Sequence, residues 1–315
     1  MIILIIVLPL MVLAFLLNAI YKSTNACQNQ FIDVHKFSIK GGVEDNLEIV
    51  NLGSNHPKFG FDYTGLDVKG ENWAVGPQTL EYDFSILRKN VNYLAQGAIV
   101  VIPICLLKLF LYRQEGRAIH TKYYCFLDPD DIVGFSKLDK WRNYSFPLLF
   151  HPRRLSNLIR DVKKDERMSL DVNLCKNEDE LNKDAVHWID CWNKEFGIKL
   201  PSPSLSQENK NDISKNIQIL KDMIGFCLSR DLKPVIAILP VTDNLFSRIT
   251  PEFVEQHILA YIAEANEAKV PVVNYLTDNR FTDPSLYINS FFFNAKGRKK
   301  FTKQFIEDLR NQAIL

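Results

Sequence analysis

The stretch "LEIVNLGSNHPKFGFD" (Leu47–Asp62) places a serine where a hydroxyl can do chemistry. An apolar run ends on Gly53, Ser54 follows, and polar, turn-prone residues come next. A serine just past a strand end and at the start of a helix can act as a nucleophile. The N–H of the following residue, Asn55, has no intrahelical acceptor there and can stabilise an oxyanion. Gly76, in "NWAVGPQTL", offers a second N–H unshielded by a side chain. The alternative use of Ser54 is to cap the helix that follows.

A serine hydroxyl is a poor nucleophile at neutral pH without an adjacent base. His56 follows Ser54 by two residues, which turns its side chain away along the next helix. Asp278 and Asp283 are candidate carboxylate bases, and each is also a natural turn or cap residue. His120, His151, His187 and His257 have no motif around them; His151 sits beside Arg153 and Arg154 in "FHPRR".

These residues need a scaffold. "LEIVNL" (Leu47–Leu52), "GAIVVIPI" (Gly97–Ile104), "KPVIAILPV" (Lys233–Val241) and "VPVVNYL" (Val270–Leu276) are short apolar, β-branched runs. Runs apolar on both faces suit a buried parallel sheet. Helical spacing covers Glu81–Ala95, Asn216–Leu232, Pro251–Lys269 and Asn294–Gln312. This alternation predicts an α/β fold with a mainly parallel five-stranded sheet, helices on both faces and functional loops at the carboxyl ends of the strands. Residues from about 106 to 205 are less regular and read as a helical insertion.

Residues 1–22 read as a transmembrane anchor: "MIILIIVLPLMVLAFLLNAIY" has no charge before Lys22, and about 20 apolar residues match the hydrocarbon thickness of a bilayer. A cleaved signal peptide fits less well, because a basic leading segment is missing. Residues 23–46 read as a linker, and 47–315 as the α/β domain. Lys22, Lys36 and Lys40 follow the apolar segment, so the positive-inside rule alone leaves the domain in the cytoplasm.

The 315 residues carry 38 Lys+Arg against 37 Asp+Glu, a net charge of +1. That balance makes no electrostatic case for nucleic acid. The six cysteines are scattered without a CxxC pair, so neither a metal knuckle nor a dense disulfide framework is expected, and no cofactor is implied.

The order "IVNLGSNHPKFGFDYTGL", "ENWAVGPQTLEYDFSIL", "GAIVVIPI", and later "VPVVNYLTDNRFTDPSLYINSFFFNAKGRKKFT", resembles the SGNH (GDSL-type) hydrolase superfamily. More narrowly, it is similar to membrane-anchored SGNH-like proteins of bacterial surface-polysaccharide modification. The resemblance implies a flavodoxin-like three-layer sandwich and ester hydrolysis or acyl transfer on glycans. It also implies a polysaccharide and a polytopic acyltransferase as partners, and an extracytoplasmic domain, against the charge rule. It puts Ser54 at the nucleophile and Gly76 at the oxyanion glycine; the superfamily's Gly-x-Asn asparagine has no counterpart.

The departure lies at the base. The superfamily places Asp-x-x-His just before the "N-x-x-G" that opens the last helix. Aligned on Asn294 and Gly297, those positions here are Asn289 and Phe292. The expectation is a catalytically impaired protein of this fold, partnering acyl modification of surface polysaccharide. The competing expectation is an active serine esterase or O-acyltransferase using Ser54 and a substitute base such as Asp283. A scaffold with a filled cleft is the third.

Overall fold

A computed structural model describes residues 2–24, 27, 32–112, 120–148, 155 and 176–315. In chain order the elements used below are α1 (Ile2–Lys22), α2 (Ile32–Ser38), β1 (Leu47–Asn51), α3 (Asn55–Lys58), β2 (Gly70–Asn72), α4 (Leu80–Asn90), β3 (Leu94–Pro103), α5 (Lys137–Tyr144), α6 (Glu178–Phe196), α7 (Gln207–Leu228), β4 (Lys233–Ile238), β5 (Val272–Asn274) and α8 (Ala295–Asn311). The chain divides into two compact units: residues 1–43 with 115–169, and residues 44–114 with 170–315.

The second unit is built on a five-stranded sheet in the order β2-β1-β3-β4-β5. Every neighbouring pair is parallel, with Val50 opposite Val100, Val101 opposite Val235 and Ala237 opposite Val273. This is the 2-1-3-4-5 order of doubly wound sheets, whose ligand crevice lies between the first and third strands, where the winding reverses. The side-chain period of two sends Ile49, Ile99, Val101, Val235 and Ala237 into one core with Phe301, Phe305 and Leu309 of α8. The alternate residues Val50, Val100, Ile102, Ile236 and Ile238 are equally buried on the other face. Leu220, Met223, Ile224 and Cys227 of α7, which adjoins β4, are buried as well.

Several boundaries differ from the sequence reading. β2, three residues of Gly-Glu-Asn, has no apolar pattern and is held by its backbone pairing with β1. The helix expected over Glu81–Ala95 ends at Asn90, passes through a 3-10 turn and becomes β3 at Leu94. α7 starts at Gln207, well before Asn216, because Ser206 and Asn209 form a reciprocal capping box. The helix expected over Pro251–Lys269 has a π-helical turn at Glu255–Leu259 and ends at Ala265. The segment read as an insertion is divided: 115–169 group with the N-terminus, whereas α6 belongs to the sheet unit.

In the first unit, α1 covers the expected apolar segment, but its last turns pack on protein rather than standing clear. Asn18 donates through Nδ2 to the Ser145 carbonyl (3.0 Å) and accepts from Leu148 N (3.1 Å), and Tyr21 is buried. Among the described residues no helix is long and apolar enough to cross a membrane. The segment read as an irregular linker contains α2. Among the described residues, Cys27, Cys105, Cys125, Cys191 and Cys227 form no disulfide.

Candidate functional site

β1 delivers the chain to Gly53 and Ser54 at its carboxyl end. Gly53 turns with φ +117°, a conformation L side chains rarely adopt, and a Cβ there would stand 2.2 Å from Pro57 Cγ. Glycine is therefore required for the turn that presents Ser54. Beyond β2 the chain stays beside β1, with Trp73 N donating to Asn51 O (2.8 Å) and Val75 N to Gly53 O (2.9 Å). Asn72 locks this approach. Its Nδ2 donates to the Pro57 and Phe61 carbonyls, and its Oδ1 accepts from Asn51 Nδ2 (2.8 Å).

Ser54 occupies the N-cap position of α3, but its side chain makes no capping bond. Its Oγ instead accepts from Gln78 N at 2.9 Å. The hydroxyl is thus held toward the 76–78 turn, where Gly76 lies. The side chain of Asn55 reaches the same place: a Cβ on Gly76 would fall 1.6 Å from Asn55 Oδ1. Ser54, Asn55 and Gly76 are therefore neighbours.

Beneath them lies a charged pair that the sequence reading missed. Asp83 of α4 accepts from Gly53 N (2.9 Å), Gln78 Nε2 and Lys108 Nζ, with Lys108 Nζ 2.7 Å from Asp83 Oδ2. Lys108 also donates to the Gln78 carbonyl at 2.9 Å. Both charged side chains are almost wholly buried, at 3% and 1% exposure. Burial pushes the Asp83 carboxyl up, and Lys108 beside it pulls it back down. Three bonds to one carboxylate, and the Lys108 bond to the Gln78 carbonyl, fasten Gly53 and Gln78, the two residues that flank and hold Ser54. The sequence signal was the lone lysine in the apolar run "VVIPICLLKLFLY", since a lysine there must find an acidic partner.

The 289–292 turn is different in kind. Asn289 Oδ1 accepts from Phe291 N (2.9 Å) and Phe292 N (2.7 Å), so its carboxamide is committed to its own turn. Ser290 is pinned by Asp184 of α6, to which its N and Oγ donate at 2.9 and 2.6 Å. Ser290 and Lys176 hold the Asp184 carboxyl below its ordinary range against the opposing effect of partial burial. Phe292, 9% exposed, packs with ring centroids 5.2 Å from Phe59, 5.6 Å from Trp188 and 4.9 Å from Phe291. All three phenylalanines of the run are buried; Phe293 belongs to the main core against Tyr287 and Phe301.

None of the other candidates replaces the base by its bonding. His56 is buried, its Nε2 lies 3.2 Å from the Pro240 carbonyl, and its ring stacks 4.3 Å from Phe291. Desolvation lowers its pKa to about 3 despite that carbonyl, so the ring is neutral and a weak base. Asp283 caps a 3-10 turn, with its oxygens accepting from Ser285 N (2.9 Å) and Oγ (2.8 Å), and Ser285 holds its carboxyl below the usual range. Asp278 is paired with Arg280. His257 Nδ1 meets Tyr261 Oη at 2.9 Å, and His187 Nε2 lies 3.5 Å from Cys191 Sγ on α6. His120 is buried in the other unit, and His151 lies outside the described residues. Among the described residues no group of three or more His, Cys, Asp or Glu is placed to hold a metal ion.

No protein-family model matches this chain, and no curated protein does. Among solved structures, the YxiM protein of Bacillus subtilis aligns over 87% of this chain and 58% of its own, at 12% identity and a TM-score of 0.39. A "putative acylhydrolase" of Bacteroides fragilis aligns over 88% and 90%, at 10% identity and a TM-score of 0.36. Likeness at this level assigns no activity. What stands on the molecule itself is an α/β sheet unit with a fixed serine beside Asn55 and Gly76, and an aromatic cluster in which Phe291 and Phe292 pack on His56 and Phe59 of the segment after Ser54.

Proposed function

We propose that this chain is a hydrolase-like protein whose serine site holds acylated glycan without turning it over, as a partner in acyl modification of a surface polysaccharide. The observation that carries the reading is Phe292, packed among Phe59, Phe291 and Trp188 at the position where the resembling enzymes keep a histidine. Phenylalanine accepts no proton, and the Asn289 carboxamide cannot offset a developing imidazolium. What supports a binding reading is that Ser54 Oγ, held by Gln78 N, and the Asn55 side chain both lie at the 76–78 turn. An oxyanion hole and binding alone leave only a small residual rate.

We place the chain at a membrane through α1, whose residues Val7, Leu8, Leu10, Met11, Val12 and Leu13 are all about half exposed or more. The glycan and the membrane are supported by the sequence resemblance and by this apolar surface respectively. The test is direct. Purified protein should hydrolyse an acetylated glycan no faster than its Ser54→Ala form, while both retain the acetylated glycan over the deacetylated one. Ser54-dependent turnover, or equal retention of both glycans, would overturn the reading. The double change Asn289→Asp with Phe292→His should give at most partial activity, because a triad needs its partners held within about half an ångström by a supporting shell.

A further inference from the structure

The unit formed by residues 1–43 and 115–169 carries a second apolar surface beside α1. Helix α5 presents Lys137, Leu138, Lys140 and Trp141 to solvent, with Leu138 50% and Trp141 48% exposed. Its one carboxylate, Asp139, is buried. A helix that exposes a leucine and a tryptophan one turn apart, flanks them with lysines and hides its acid has no reason to do so in water. The same face suits the headgroup layer of an anionic lipid leaflet, where an indole sits at the boundary and ammonium groups meet phosphates.

An aromatic chain joins this face to α1. Trp141 lies 4.8 Å from Phe146 and Phe146 lies 5.3 Å from Phe15, centroid to centroid. Three residues beyond Phe15, the Asn18 carboxamide is buried and bonded to Ser145 O and Leu148 N. Asn18 and Tyr21 mark the face of α1 that packs on protein, whereas Phe15, Leu16 and Ile20 are about half exposed, as are Val7, Leu8 and Leu10 to Leu13. Through Phe146, Trp141 is tied to Phe15 on this exposed apolar surface.

We infer that α5 is an interfacial foot: it lays Leu138 and Trp141 into the headgroup region of an anionic leaflet beside Phe15, with Lys137 and Lys140 against the lipid phosphates. The inference rests on α1 being a membrane segment and adds where the membrane surface meets the protein. It commits to lipid as the occupant because the aromatic exposure of α5 continues, through Phe146 and Phe15, from the exposed apolar residues of α1, and its flanking lysines complement anionic phosphates.

The test uses the full chain reconstituted in phosphatidylcholine–phosphatidylglycerol vesicles whose acyl chains are brominated near the headgroup. Trp141→Phe, an exposed and conservative change, isolates the emission of Trp141 from that of Trp73, Trp188 and Trp192. The emission that this variant removes should be blue-shifted and quenched by about half or more. Lys137→Gln with Lys140→Gln should return it toward the unquenched level. Protein that floats with the vesicles while Trp141 stays red-shifted and unquenched would overturn the foot and leave α1 as the anchor. Unchanged quenching in the double lysine variant would overturn the proposed phosphate contacts. Failure to float at all would overturn the membrane reading and the foot together.

Discussion

The two sides of the Ser54 site are held by opposite kinds of interaction. On the nucleophile side, almost every contact is a directional bond: Gln78 N to Ser54 Oγ, Gly53 N to Asp83, and Lys108 to both Asp83 and the Gln78 carbonyl. On the other side, Phe59, Phe291, Phe292, Trp188 and the neutral ring of His56 fill space, and the polar bonds are those of the 289–292 turn, its tie to Asp184, and His56 Nε2 against the Pro240 carbonyl. Hydrogen-bonded networks specify one geometry, whereas aromatic packing supplies apolar burial and excludes water. The contrast teaches that fixing a serine and activating it are separate tasks. This chain invests in the first.

The comparison breaks most severely at the buried charges. Lys108→Met alone leaves the Asp83 carboxylate buried with only Gly53 and Gln78 as donors, and should cost about 3–5 kcal/mol in urea unfolding. Asp83→Leu together with Lys108→Met should cost less than Lys108→Met alone, because an uncompensated charge is worse than none. Strictly additive losses would show that the two charges do not act as a pair. On the aromatic side, Phe292→Ala should cost about 3 kcal/mol by leaving a cavity among Phe59, Phe291 and Trp188. A cost near zero would mean the ring is not part of a packed core.

Acid separates the two sides further. The pKa of His56 is lowered to about 3 in the folded chain, against an ordinary value of 6.5. The unfolded chain therefore takes up the proton first. The stability linked to a neutral His56 is complete above pH 6.5 and is lost as pH falls toward 3, at about 1.4 kcal/mol per pH unit. His56→Gln should remove that part of the slope in thermal unfolding between pH 6.5 and 4. An unchanged slope would show that the imidazole is not held neutral.

How far the sequence revealed this arrangement differs between the two sides. The strands β1, β3, β4 and β5 were legible because β-branched runs mark buried parallel strands, whereas β2 has no apolar residue in Gly-Glu-Asn and exists through its pairing with β1. The turn that presents Ser54 could be read from Gly53 and Ser54. Phe292 could be singled out only through the resemblance, by its spacing to Asn294 and Gly297, and its aromatic neighbours came from the fold. The Asp83–Lys108 pair joins α4 to the segment after β3, and a pairing across that distance leaves only a lone lysine as its trace. Trp188 comes from α6, more distant still, and nothing local to Phe292 announces it.

The smallest expected effect lies where the serine and glycine turns meet. A Cβ at Gly76 collides with the Asn55 carboxamide, a side chain that can swing aside, so Gly76→Ala should cost about 1 kcal/mol. In an Asn55→Ala background the same change should be nearly free. Equal costs in both backgrounds would show that Asn55 does not occupy that place.

The central claim is that Ser54 is positioned but not activated. Mass spectrometry of the intact protein after exposure to a fluorophosphonate at neutral pH tests it most directly. The account predicts no adduct on Ser54, with the wild-type chain indistinguishable from Ser54→Ala. Stoichiometric labelling of Ser54, abolished in Ser54→Ala, would contradict it and show that a base reaches the hydroxyl.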